Sequence, residues 1–158
     1  TTRLGPPAPP TRDRAVWHAG LSGLRRAPAT ATVTRNLTWR YGDLELQVIR
    51  NSPAHTCGDV MVYLPQHRIL FAADIAFYYV TPAGQSGHIT KWIEAIDRIN
   101  RMDVDVIVPG HGPVGTKKEL AETRAYLELM APEVQKRHRA GLSPGRAAAD
   151  TTMGPFAS

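Results

Sequence analysis

The chain predicts an α/β fold in which helices cover one face of a sheet. Three observations carry that expectation: alternating β-branched runs grouped as strand pairs, an apolar stripe at helical spacing from Ile89, and an unbroken apolar run, Val104 to Val108, between two helical segments. At 158 residues the length suits one domain, and a hydrophobic fraction of 42% is that of a globular protein. No internal repeat at solenoid spacing is visible.

Residues 1–31 are rich in Pro, Arg and Ala, with Pro6-Pro7-Ala8-Pro9-Pro10 reading as extended polyproline, and are expected to form an arm or linker. Trp17 and Leu21 could anchor a short helix over Asp13 to Leu24. Order is expected over 32–150, with 151–158 as a tail.

Thr32 to Arg40 and Leu44 to Ile49 alternate around the turn residues Tyr41-Gly42-Asp43, which reads as a β-hairpin. Val60 to Leu64 and Arg68 to Ala73, parted by Pro65-Gln66-His67, give a second strand pair. Ile89, Trp92, Ile93, Ile96 and Ile99 then draw one stripe on a helix over Ile89 to Arg101. Val104 to Val108 reads as a strand buried on both faces. A helix over Lys117 to Ala131 carries Leu120, Leu127 and Met130, and Pro132 is expected to break or restart it before Glu133 to Arg139. Ser143-Pro144 reads as an N-cap with Pro at N1, opening a brief helix through Ala149.

Composition removes several functions. No run approaches the ~18 apolar residues of a spanning helix, so no membrane association is expected; no signal peptide is recognisable, which says little about compartment, and localisation is left open with the cytoplasm slightly favoured. One cysteine, Cys57, excludes an internal disulfide and is expected to be a buried apolar thiol. The net charge of +5 would suit a polyanion. Its arginines are scattered, however, so nucleic acid is not the expected partner.

Three polar residues stand at the ends of apolar strands, where ligand groups of layered α/β proteins gather. They are His55 in Ala54-His55-Thr56-Cys57-Gly58-Asp59, Asp74 closing Leu70-Phe71-Ala72-Ala73-Asp74, and His111 in Val108-Pro109-Gly110-His111-Gly112-Pro113. Each lies near Gly or Pro, so the backbone can turn there. Two imidazoles and a carboxylate suit zinc or a similar divalent ion, and a carboxylate can bridge two ions. Singly, each could equally be a cap or a turn former.

In order and context the three motifs resemble the metallo-β-lactamase fold superfamily, most closely its glyoxalase-II-like hydrolase branch, over roughly Leu37 to Met130. The resemblance implies that His55 binds a first metal, His111 a second, and Asp74 bridges them, with one or two zinc ions in the complete family site. Asp74 stands where the common subclass of true β-lactamases carries Cys, which argues against β-lactam hydrolysis. The family's His-x-His-x-Asp-His signature is absent, and the only histidine before His55 is His18. The implied fold is therefore the C-terminal half of an αββα sandwich.

The implied activity is a share of a zinc-dependent hydrolase that cleaves an ester, thioester, lactone or amide of a small-molecule substrate through a metal-bound hydroxide. His88, Tyr78 and Tyr79 are candidates for its cleft wall. Half of such a site gives each metal two donors, and half of such a sandwich leaves an apolar sheet face and open edges. A companion N-terminal fragment, a second copy of the chain in a homo-oligomer, or the arm would cover that face. The alternative is a truncated, non-catalytic or assembly-forming half domain.

Overall fold

A computed structural model describes residues 32–51 and 53–156, and those from Val33 onward belong to one compact unit. The arm and the helix expected over Asp13 to Leu24 lie outside the described residues. Five strands, β1 (Leu37–Tyr41), β2 (Leu44–Arg50), β3 (Val60–Leu64), β4 (Ile69–Phe77) and β5 (Val106–His111), form one sheet in sequence order. The first four pair antiparallel, and β5 lies parallel to β4. Helices α1 (Ile89–Asn100), α2 (Lys117–Arg139) and α3 (Pro144–Asp150) complete the fold, with a 3₁₀ turn at Gly154–Phe156.

Register explains which residues are covered. Ile49 pairs with Met61, Tyr63 with Leu70, and Leu70 with Ile107, so these share one face. All five are buried, in one cluster with Trp92, Ala95, Ile96 and Ile99 of α1 and Leu120 and Leu127 of α2. Both helices pack on β4 and on each other, as a parallel β4–β5 connection requires. Burying a side chain the size of Ile96 or Leu70 contributes about 1.5–3 kcal/mol.

Among the described residues, the opposite face is only partly covered. Leu37, Val48, Val62, Phe71 and Val108 stand side by side across the five strands. Phe71 is 44% exposed, and Trp39 and Tyr41, on the same face of β1, are 67% and 80% exposed. The uncovered apolar face that half a sandwich predicts is therefore present among the described residues.

Several boundaries differ from the sequence expectation. β1 starts at Leu37 rather than Thr32, closing through the Tyr41–Leu44 pair around Gly42, whose φ of 58° suits glycine. β4 continues through Asp74 to Phe77, and β5 through Pro109-Gly110 to His111. Asp74 thus lies inside its strand instead of closing it, and His111 is the last residue of β5 instead of following it. Pro109 is tolerated because β5 is an edge strand. α2 runs unbroken through Pro132, since one missing N–H is outweighed by a capping box at Thr116/Glu119 and burial of Leu120, Thr123 and Leu127. Ser143 does stand at the N-cap of α3, with Pro144 at N1, but its side chain makes no capping hydrogen bond.

Candidate metal centre

The loop between β2 and β3 is built around Asp59. Its Oδ2 accepts from the backbone N–H groups of Ala54 at 3.1 Å and Thr56 at 2.8 Å, and its Oδ1 accepts from the Thr56 hydroxyl at 2.7 Å. With Asp59 itself buried, these bonds fix the backbone on both sides of His55. A second anchor comes from α1, where the His88 N–H donates to the Ala54 carbonyl at 2.7 Å. Gly87 passes close enough that a Cβ there would meet the His55 carbonyl at 3.1 Å.

Asp74 reaches the same place through an irregularity in β4. Ala73 adopts a left-handed φ of 48°, and the β4–β5 register shifts on either side of it. For alanine that conformation costs about 1–2 kcal/mol. The bulge interrupts the alternation that buries Leu70 and Ala72 and leaves Asp74 half-buried at the rim. Gly110 then permits the approach of β5, since a Cβ there would stand 2.0 Å from Oδ1 of Asp74.

The result is a carboxylate flanked by two imidazoles. His55 Nδ1 lies 3.6 Å from Asp74 Oδ2, and His111 Nε2 lies 3.5 Å from Asp74 Oδ1. Both separations exceed the normal N–H···O range of about 2.7–3.2 Å. They match instead two donors held by one tetrahedral ion at about 2.0–2.2 Å, which stand about 3.3–3.6 Å apart. His55 Nδ1 is also buried without a hydrogen-bond partner, an arrangement that costs free energy unless something else satisfies it. Asp59 Oδ1 lies 3.9 Å from that nitrogen, but its lone pairs already serve the loop.

These residues fit a share of a metal site. Among the described residues no three His, Cys, Asp or Glu side chains form a group able to hold one ion; what forms is two donor pairs that share Asp74. The cluster is open on one side, with His55, Asp74 and His111 side chains 14%, 41% and 54% exposed. Further donors can reach it from there.

An aromatic floor closes the other side. Phe77, 5% exposed, stacks on His111 with centroids 4.6 Å apart and planes 19° apart, and lies 5.6 Å from the His55 ring. Trp92 meets His55 edge to face at 5.0 Å and is itself anchored by its indole N–H on the Ile75 carbonyl at 2.9 Å. Hydrophobic walls raise the electrostatic weight of charges beside them. Neither Phe77 nor Trp92 is singled out by sequence reasoning as a site residue, although Trp92 appears on the core stripe. Asp59 could have been found from the Thr56-x-x-Asp59 spacing, which suits a side chain returning to its own loop.

Tyr78 and Cys57 depart from expectation. Tyr78 is core, not cleft wall: it is 1% exposed, its hydroxyl donates to the Thr116 carbonyl at 3.0 Å, and burial pushes its pKa far above the usual tyrosine value. Tyr79 is 70% exposed with a left-handed φ of 58°. His88 caps α1 by position, with its ring 3.0 Å from the Thr90 hydroxyl. Cys57, expected to be buried, is exposed in the turn it forms with Gly58.

Comparison with known proteins places this geometry. The chain is 24% identical over 149 residues to a linear primary-alkylsulfatase from a Pseudomonas species, covering 84% of this chain and 28% of that protein. It is 33% identical over 89 residues to the 2,4-dinitroanisole O-demethylase subunit alpha of a Nocardioides species, covering 53% and 26%. The chain thus spans about a quarter of the length of these relatives. Among solved structures, a metallo-beta-lactamase from Pontibacter korlensis superposes with a TM-score of 0.60 at 28% identity, over 65% of this chain and half of that one. DIM-1 metallo-beta-lactamase shares the fold, with a TM-score of 0.57 at 24% identity over 70% and 52%. Together with the family profile that matches residues 30–111, just over half of the sequence, these likenesses establish that the chain belongs to the metallo-beta-lactamase superfamily.

Proposed function

We propose that this chain is the C-terminal share of a zinc-dependent metallo-hydrolase that cleaves an ester, thioester, lactone or amide. The observation that supports this most directly is the pair of imidazole nitrogens set against opposite oxygens of Asp74 at 3.6 and 3.5 Å. On this reading His55 would hold one metal position, His111 the other, and Asp74 would bridge them. Zinc in such a site lowers the pKa of a coordinated water to about 7 and polarises the bond to be broken.

The chain's own groups hold the donors in place. Asp59 fixes the His55 loop, Gly110 lets β5 approach Asp74, and Phe77 with Trp92 keeps water from the inner side of both rings. Two donors per position fall short of the three that catalytic zinc usually keeps. The remaining donors, and the cover for the bare sheet face, are therefore assigned to a companion N-terminal segment, with a second copy of the chain as the alternative.

Asp74 in the bridging place favours the glyoxalase-II-like branch over β-lactam chemistry. The likeness to an alkylsulfatase extends the esters in view to sulfate esters. A nucleic-acid substrate is disfavoured because arginines are engaged by acids: Arg68 by Asp103 and Asp105, Arg124 by Asp97 and Glu128, Arg137 by Glu133 and Asp150. A non-catalytic half domain has less support, since a relic would have no reason to retain an unpartnered buried imidazole beside a strained bulge.

The test is hydrolysis of a chromogenic ester, thioester, lactone, amide and sulfate ester by the zinc-supplemented chain, mixed with the N-terminal half of a metallo-beta-lactamase-fold enzyme. Zinc-dependent turnover that disappears in Asp74→Asn is expected. Turnover that survives this substitution, or none across the panel, would count against the proposal.

A further inference from the structure

A cavity of about 360 Å³ that has Phe77 in its lining is bounded by the segment after β4, by α2 and by the 3₁₀ turn. Its walls include Tyr79, Tyr126 and Phe156, with Glu122 and Thr123 beside them. Tyr126 and Phe156 meet at 85° with centroids 5.5 Å apart, so two aromatic walls stand at right angles. Tyr79 supplies a third ring and is held 70% exposed at a φ of 58°, a conformation that is a true outlier for a bulky residue and collects at ligand sites.

Polarity then selects the ligand. Thr123 is satisfied, donating its hydroxyl to the Phe77 carbonyl. Glu122 has no hydrogen-bond or ion-pair partner among the described residues, in a chain whose net charge is +5. A carboxylate beside three aromatic rings repels anions, while the negative ring faces and the carboxylate both attract a cation. The volume admits a group of a few to a dozen heavy atoms.

We propose that this pocket binds a small organic ammonium ion, with its cationic head between Glu122 and the rings of Tyr79, Tyr126 and Phe156. The site shares Phe77 with the His55–Asp74–His111 cluster but uses none of those three side chains. Its occupancy therefore stands or falls separately from the metal chemistry.

The test is an NMR titration of the metal-free 158-residue chain with choline and, in parallel, with 3,3-dimethylbutanol, its uncharged carbon isostere. Choline should bind more tightly by about fivefold or more, within the range that cation–π contacts support. Shifts should centre on Tyr79, Glu122 and Phe156. Glu122→Gln, at an exposed helix position, and Tyr79→Ala, on an exposed ring, should each reduce that preference while the remaining spectrum stays folded. Equal affinity for the two ligands, no saturable shift with either, or a preference unchanged in both variants would overturn the proposal.

Discussion

At the scale of single residues, the His55–Asp74–His111 cluster depends as much on a missing side chain as on those present. A Cβ on Gly110 would overlap Oδ1 of Asp74, at 2.0 Å, and the Ala73–Asp74 backbone, at 2.8 Å. Gly110→Ala should therefore displace the carboxylate and destabilise the chain by about 1–3 kcal/mol, as overpacking does. Urea unfolding reads the stability, and cobalt(II) absorption of the companion-completed protein should lose its ligand-field bands. Phe77→Leu keeps an apolar floor without the ring stacked on His111. We expect weaker metal affinity with a loss of stability of up to about 3 kcal/mol, because the smaller side chain leaves a cavity, and equal metal affinity in the two proteins would show that the stack does not position His111. That His55, Asp74 and His111 lie together was legible in the sequence, because each stood beside a turn signal at a strand end. Asp59, Phe77 and Gly110 act by supporting those donors, through a loop closure, a ring contact and an absent Cβ, and such roles depend on neighbours that only the fold supplies.

At the scale of elements, α2 shows where local rules compete. Pro132 was expected to divide it, yet the helix is continuous from Lys117 to Arg139. Restoring the N–H with Pro132→Ala should stabilise the chain by about 1–3 kcal/mol, given the cost of an interior proline. A lower melting temperature would mean that the ring is needed where it sits. The other end of α2 carries a pH dependence. Hydrogen bonds from the Thr116 backbone and hydroxyl hold the Glu119 carboxyl below its usual value of 4.5. Because the folded pKa is depressed, this contribution is present above pH 4.5 and is lost as pH falls through the folded value. Thr116→Ala removes the hydroxyl bond to Glu119 and keeps the backbone one, so it should lower stability at pH 7, and the part of the difference from wild type that belongs to Glu119 should fade toward pH 3. A pH-independent difference would remove Glu119 from the account. Strand and helix positions were readable from periodicity, whereas the extensions of β4 to Phe77 and β5 to His111 were not. Those extensions rest on a bulge at Ala73 and an edge-strand proline, both set by pairing between distant segments.

At the scale of the whole molecule, the unshielded sheet face is the dominant feature. Leu37, Trp39, Tyr41 and Phe71 are exposed in a row that register places on one side. Patches of this kind mark interaction surfaces. Trp39→Lys with Phe71→Lys should reduce binding of an apolar dye such as anilinonaphthalene sulfonate and reduce self-association, while changing stability little, because exposed side chains contribute little to the core. Unchanged dye binding would mean that the face is covered in solution. Asp74 and His111 are themselves 41% and 54% exposed, so a partner can reach them.

The central claim is that His55, Asp74 and His111 are a share of a metal site. It is tested most directly by titrating zinc into the gel-filtered chain and into His55→Ala, Asp74→Asn and His111→Ala, with bound metal measured by elemental mass spectrometry. The account predicts weak, substoichiometric zinc on the chain alone, reduced in every variant, and rising to one or two ions per chain only when the companion half is added. Zinc retained equally by all three variants, or none recruited in the presence of that half, would contradict it.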